Sequence, residues 1–332
     1  MSSVDSLVDD HRAVREGCGL LDRSDRGKLA LTGEQAQEFL NGRVSNDVLA
    51  LDAGDGCYAA FLTHKGKMLG DLRILRVAEP APALACPEAG HSGELWLDTE
   101  RISLQALFDL IRRFQIGYDV ALHKRTLEWG LLSLVGPLAR TVASAGELGD
   151  REHANASSTI AGLGVHLVVT DVGIDVVCVA RDTPAVRGAL LDGGAAAVGE
   201  AAAAALRIES GRPLYGVDID DSTIPEEAGL NDRAVSFTKG CYVGQETVAR
   251  LHYRGRPTRR LRGLRLSAAP ATGDEVQLGE RVVGTLGSTA PSPNLGLIAL
   301  ALLRREAEPG SVVSVGSAGA SAEVVELPFS GV

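Results

Sequence analysis

FTKGCYVGQETVAR, residues Phe237–Arg250, runs directly into the arginine-rich LHYRGRPTRRLRGLR at 251–265. Gly240 and Gly244 flank Cys241 and Tyr242, and glycine allows turn geometries that a β-carbon forbids. From Gln245, with Glu246 in the first turn, Val248 and Leu251 fall on one helical face. The spacing predicts a helix opening at Gln245, with Cys241 just before its N-terminus. Lys239 beside the thiol and Arg250 one or two turns on favour a negative charge there, so the thiol is expected to ionise readily. A lone cysteine is otherwise an inert buried residue, but the polar neighbours argue for exposure. His252 is the nearest partner for a Cys–His dyad, yet a helix from Gln245 turns it away.

The chain around this stretch has 332 residues and a formal charge of −10, with 45% hydrophobic and 23% charged residues. That length suggests two or three domains. The acidic balance argues against coating by nucleic acid. Cys18, Cys57, Cys86, Cys178 and Cys241 are odd in number, widely spaced and free of any C-x-x-C pair. Reduced thiols follow as the default, with neither a disulfide framework nor a metal site expected. The N-terminus lacks the apolar core of a signal peptide, and no apolar run is long enough to span a membrane. The expected location is the cytoplasm.

Helices are predicted over Val4–Glu16, Gly33–Leu40, Glu100–Phe114, Pro137–Ala145, Thr183–Asp192 and Glu200–Glu209. Strands are predicted at Lys28–Thr32, Cys57–Thr63, Leu69–Val77, Leu95–Asp98, Val120–Leu122 and Leu127–Val135. HKGK, 64–67, makes the second and third of these a hairpin. Val165–Thr170 and Asp175–Ala180 form another, around Gly173. Ala78–Glu94 reads as a surface loop and Leu148–Ser158 as an exposed connection. After Arg265 the short Val-rich runs VVGTLGST, LIALALL, SVVSV and AEVVEL predict a small antiparallel sheet or barrel. The best cut lies near Arg256-Pro257, giving regions 1–255 and 256–332.

Three further groups could carry chemistry. Arg250, Arg254, Arg256, Arg259, Arg260, Arg262 and Arg265 are either a solvated strand and turn paired with carboxylates, or a patch for an anionic ligand. Without aromatics after Tyr253, the run is a poor stacking surface for single-stranded nucleic acid. Asp71 on its strand reads by pattern alone as an exposed edge carboxylate. Glu209 ends a helix, where the dipole disfavours an acid, which hints at a role such as binding a nitrogen heterocycle.

KGCYVGQETVAR at 239–250 closely resembles the hallmark of the YgfZ-type folate-binding proteins, within the superfamily of the glycine cleavage T-protein, an aminomethyltransferase. LTGEQAQEFLNGRVSNDV (31–48), AAFLTHKGKMLGDLRIL (59–75), RIESGRPLYGVDID (207–220) and IPEEAGL (224–230) follow the superfamily in order, so the likeness covers nearly the whole chain. The resemblance implies an α+β, GcvT/YgfZ-like fold: two interleaved α/β domains, one ferredoxin-like, and a C-terminal antiparallel β-barrel. It implies tetrahydrofolate or a derivative as cofactor, with Glu209 at the pterin and Asp71 near the reactive folate nitrogens. Gly240, Tyr242, Gly244, Gln245 and Glu246 would complete the binding loop, and Cys241, with Lys239 and Arg250 beside it, would be the reactive group. In the YgfZ branch the partners would be iron–sulfur proteins or their assembly machinery, including tRNA-thiolating enzymes, with no direct nucleic-acid binding. Two departures from the transferases stand out: Gly70 replaces one of a pair of aspartates, and Cys241-Tyr242 replaces Asp-Phe. Losing a carboxylate removes an acid–base partner, so an accessory role in iron–sulfur enzyme assembly or maintenance is expected ahead of the alternative, folate-dependent aminomethyl transfer.

Overall fold

The computed structural model describes residues 3–86 and 94–330. It divides into two compact units, each assembled from separated stretches of chain. The first comprises Met1–Leu62, Leu69–Gly199 and Arg233–Val243, and the second Thr63–Met68, Glu200–Asp232 and Gly244–Val332.

Two sheets make the first unit. One runs, edge to edge, Gly56–Leu62, Met68–Val77, Glu94–Thr99, Gly27–Thr32 and Ala121–Lys124. The other runs Ala196–Ala197, Gly19–Asp22, Trp129–Val135, Gly173–Val179, Leu163–Thr170 and Asn155–Ile160. Its first pair is parallel and the rest are antiparallel. The sheets face each other across a core of Ala30, Leu75, Val77 and Trp96 from one, and Trp129, Leu131, Val168 and Val177 from the other. Trp96 and Trp129 pack there with ring centroids 4.2 Å apart and planes tilted by 40°. Helices cover the outer faces: Ala36–Asn41 and Leu104–Phe114 pack Phe39, Leu40, Leu107 and Ile111 onto the first sheet. Thr183–Asp192 brings Val186 and Leu190 onto the second. With both faces covered, Gly27–Thr32 and Trp129–Val135 are buried at every residue, so GKLALT and WGLLSLV need not alternate cleanly between polar and apolar.

The second unit is built on a closed barrel in the order Arg259–Leu266, Gly296–Arg304, Arg281–Ser292, Glu275–Leu278, Val312–Val315 and Ala320–Val325. Helix Glu200–Glu209 lays Ala205 and Ile208 against Leu261, Ile298, Leu300 and Phe329 on its outside. That use of an alanine-rich helix allows close approach, because its buried face carries mostly methyl groups. The barrel interior is filled by Leu264, Val276, Val283, Leu286, Ala301 and Val324, among others. Helix Gln245–Arg254 belongs to this unit and begins after Gly244, whose φ of +87° suits glycine. Gly66 of the Thr63–Met68 turn packs at that helix start: a β-carbon on it would come within 2.9 Å of Thr247 Cβ and 3.2 Å of the Gly244 carbonyl oxygen.

The α+β class and the terminal barrel are as the sequence suggests. Several strands depart from the expectation, among them Ala196–Ala197, Glu275–Leu278 and two that shape the second sheet. Asn155–Ile160, within and just beyond the stretch read as a connection, is an edge strand whose polar NASSTI exposes Ala156, Ser157 and Thr159. Gly19–Asp22 is a four-residue strand, too short to show a period. Residues 87–93 of the expected Ala78–Glu94 loop lie outside the described residues, and Glu94 already belongs to a strand.

Candidate functional site

Strand Met68–Val77 places Asp71 and Arg73 on one face, two residues apart. Both look into a cavity of about 180 Å³ in the first unit, whose lining includes Tyr58, Asp98, Ser133 and Asp175. Contrary to its reading as an exposed edge carboxylate, Asp71 is only 6% exposed. Burial raises its pKa to about 6, even though the Tyr58 hydroxyl donates to Oδ2 at 2.6 Å and pulls the other way. Burial and the neighbouring carboxylate push Tyr58 well above the ordinary phenol range, so it stays a donor. The Thr99 hydroxyl donates to the Asp71 carbonyl and fixes the strand at this residue.

Beside this pair lies a charge network that the sequence did not announce. Arg73 reaches Asp98 at 2.8 Å and Asp175 at 2.7 Å, tying one sheet to the other. Arg26 also binds Asp98, at 2.8 Å, and Glu100. Burial alone would raise the Asp98 pKa, but the Arg26 and Arg73 guanidiniums hold it below the usual carboxylate range. Ser133 donates to Asp175 at 2.6 Å. Most charge around the cavity is therefore mutually neutralised, while the Asp71 carboxylate is held by the Tyr58 phenol with no ion pair among the described residues. The signal that could have found Arg73 is its two-residue spacing from Asp71; Tyr58 and Asp98 come from neighbouring strands and no spacing points to them.

Gly70 precedes Asp71 for a spatial reason. A β-carbon there would lie 2.6 Å from Phe61 Cζ and 2.7 Å from Ser103 Cβ. Both neighbours are buried, so the site has no room for a second carboxylate without repacking.

The KGCYVGQE segment is split between the units: Lys239, Gly240, Cys241 and Tyr242 are in the first, and Gly244, Gln245, Glu246 and Arg250 in the second, with Glu209. Lys239 is buried and its ammonium donates to the carbonyls of Asn41 at 2.6 Å, Val44 at 3.0 Å and Asn46 at 2.7 Å. All three hydrogens are thus committed to backbone, and burial draws the pKa down to about 8. The lysine anchors the loop, instead of serving the thiol as the sequence led us to expect. Tyr242 packs under it, with Nζ 5.2 Å from the ring centroid, and burial pushes the phenol to about 12. Cys241 is exposed, whereas Cys18, Cys57, Cys86 and Cys178 are buried. A β-carbon on Gly240 would meet nothing within 4 Å, so the backbone before the thiol is open on that side.

In the second unit, Glu209 is 2% exposed at the end of its helix, where its carbonyl accepts from Phe329 N at 2.9 Å. Asp218, in the same RIESGRPLYGVDID motif, accepts from Arg207, from the Leu214 and Ser288 backbone N–H groups and from the Ser288 hydroxyl. This buried carboxylate pins the loop after the helix to the barrel. Within the arginine run, Arg259 forks onto Glu227 and Arg262 pairs with Glu326, the ion-paired reading, while Arg250, Arg254, Arg256 and Arg260 are exposed.

Comparison with known proteins agrees with this architecture. Residues 2–239 match the family described as GCVT N-terminal domain, and residues 259–330 match the glycine cleavage T-protein C-terminal barrel domain. The chain belongs to the glycine cleavage T-protein family. It is 30% identical to an aminomethyltransferase of Symbiobacterium thermophilum, covering 98% of this chain and 89% of the relative. It is 29% identical to an aminomethyltransferase of Corynebacterium aurimucosum, covering 98% and 90% respectively. The crystal structure of glycine cleavage system aminomethyltransferase T from Bartonella henselae superposes with a TM-score of 0.82 at 24% identity, over 97% of this chain and 89% of that one. At that identity the likeness speaks for the fold alone. No helix among the described residues is long and apolar enough to cross a membrane.

Proposed function

We propose that this protein binds tetrahydrofolate or a derivative and handles the one-carbon unit it carries, as a folate-dependent aminomethyl transferase. The observation that carries the proposal is Asp71: a buried carboxylate with a pKa near 6, held by one phenol and facing a cavity. Bound tetrahydrofolate would supply the nitrogens that carry the one-carbon unit. A cavity of about 180 Å³ falls below the roughly 300–1,000 Å³ of sites that enclose a whole drug-sized ligand. It suits the ring end of a folate, where an acid–base group is needed, and not its tail.

At pH 7 a carboxylate with this pKa is about ten parts ionised to one protonated, poised to take a proton and return it. Tyr58 holds Oδ2 and leaves Oδ1 for the reacting group. The Arg73–Asp98–Arg26 network keeps neighbouring charges fixed while Asp71 changes state. The relatives named aminomethyltransferase support this reading over the accessory role. Calorimetry with tetrahydrofolate on wild type, Asp71→Asn and Glu209→Ala tests binding, and methylenetetrahydrofolate formation from an aminomethyl donor tests turnover. Wild type should bind and turn over, Asp71→Asn should bind without turnover, and Glu209→Ala should bind weakly. Absence of binding, or full turnover by Asp71→Asn, would refute the proposal.

A second reading rests on a separate observation, the exposed Cys241 on its anchored loop together with the crowding at Gly70. Here the folate-bound protein serves the assembly or maintenance of iron–sulfur enzymes, including tRNA-modifying ones, through that thiol. Among the described residues no group of three or more His, Cys, Asp or Glu is placed to hold a metal ion, so the cluster in this reading belongs to the client. Cys241→Ala should then fold and bind folate normally yet fail to rescue a deletion strain. Full rescue would remove the thiol from the account.

A further inference from the structure

The second unit has a groove of its own, of about 470 Å³, between the Gly216–Thr223 loop and the outer wall of the barrel. That volume is within the range of small-molecule sites. Barrel register sets Arg259 directly opposite Arg304 on neighbouring antiparallel strands, and both line the groove. Side chains so paired share a face with β-carbons about 5 Å apart, and like charges there repel.

Only one of the two arginines is neutralised. Arg259 donates to Glu227 through Nε at 3.1 Å and Nη2 at 2.9 Å, and its Nη1 reaches only the Ser222 hydroxyl, at 3.3 Å. It is therefore rigidly held with one Nη1 hydrogen to spare. Arg304 is exposed, and its guanidinium has no ion-pair or hydrogen-bond partner among the described residues. An anion lying between the two guanidiniums would relieve their repulsion and take a charge-assisted hydrogen bond from each.

The rest of the lining narrows the ligand. Val217 and Val282 leave 43% and 42% of their surface exposed, beside the buried Leu302. This gives an apolar wall for a tail. Asp220 brings a negative charge to the same groove, held below its usual pKa, against burial, by hydrogen bonds from Ser222 and Thr223. A multiply charged ligand would be repelled by it. The lining contains no aromatic residue on which a nucleobase could stack.

We propose that this groove binds a small organic monoanion: a carboxylate head between Arg259 and Arg304, with a short apolar tail on Val217 and Val282. The groove contains none of the residues assigned above to folate. The test is calorimetric titration of the full-length protein with sodium octanoate, and separately with sodium phosphate. Octanoate should bind saturably at one site, at least tenfold more weakly in Arg304→Gln and several-fold more weakly in Val282→Ser. Arg281→Gln, on the same strand but paired with Glu306 outside the groove, should bind as wild type does. Absence of saturable octanoate binding, tighter binding of phosphate than of octanoate, or equal weakening by Arg281→Gln would each overturn the proposal. Because Arg304 and Val282 are exposed, each variant is expected to unfold at the wild-type temperature, and a melting curve verifies it.

Discussion

Replacing Asp71 by Asn should stabilise the protein at neutral pH while abolishing its proposed chemistry. The carboxylate has a folded-state pKa of about 6 against an ordinary 3.8, because burial disfavours its charge. A raised acid pKa means the folded chain holds the proton more tightly than the unfolded chain. The cost of ionising Asp71 inside the fold is therefore fully present above pH 6 and fades as pH falls toward 3.8. At about 1.36 kcal/mol per pH unit of displacement, it amounts to about 3 kcal/mol at pH 7 and about 0.5 kcal/mol at pH 4. Asn has a similar shape, can still accept from Tyr58 and carries no charge, so Asp71→Asn should gain up to about 3 kcal/mol at pH 7 and almost nothing at pH 4. Urea unfolding of both proteins at the two pH values measures the difference. If the variant is less stable at pH 7, or its advantage is the same at both pH values, the buried-base argument fails.

Other perturbations follow the same physics. Lys239→Met withdraws a charged donor from three backbone carbonyls, and a net loss of about 2–4 kcal/mol is expected in urea unfolding at pH 7. Gly70→Ala must displace the buried Phe61 ring or Ser103 and should cost about 1–3 kcal/mol, with an unchanged melting temperature as the contrary result. His166 is 2% exposed and burial lowers its pKa to about 4 from 6.5. Its depressed value means the stability it supports is complete above pH 6.5 and is lost as pH falls toward 4. Wild type should therefore lose about 2 kcal/mol more than His166→Gln between pH 7 and pH 5, and parallel losses would argue against it.

What could be read from the residues depended on whether the information was local. The hairpin around HKGK, helices Thr183–Asp192 and Glu200–Glu209 and the barrel strands all carry their period or turn residues within a few positions. Asn155–Ile160 is polar because it is an edge, and polarity without a clear period looks like a loop. The site was legible as single residues but not as a constellation. Asp71 stood out only through resemblance, since strand alternation cannot say which face is buried between two sheets. Tyr58, Asp98 and Asp175 line its cavity from other strands, as far as 104 residues away in sequence, the interval from Asp71 to Asp175. Lys239 was chosen for its neighbours in sequence, yet its ammonium serves residues 193 to 198 positions upstream.

That long reach matters most while the chain is being made. The Thr63–Met68 turn, whose Met68 N–H bonds to the Thr223 carbonyl at 2.9 Å, leaves the ribosome well before the residues it packs against. At roughly 5–20 residues per second, it waits about 8–30 s for Thr223. The first unit likewise lacks its closing segment until Val243 has been added, so the carbonyls of Asn41, Val44 and Asn46 must meanwhile find water. Nascent chains halted before Lys239 should therefore remain open to protease, and those extended past Val243 should become resistant in the first unit.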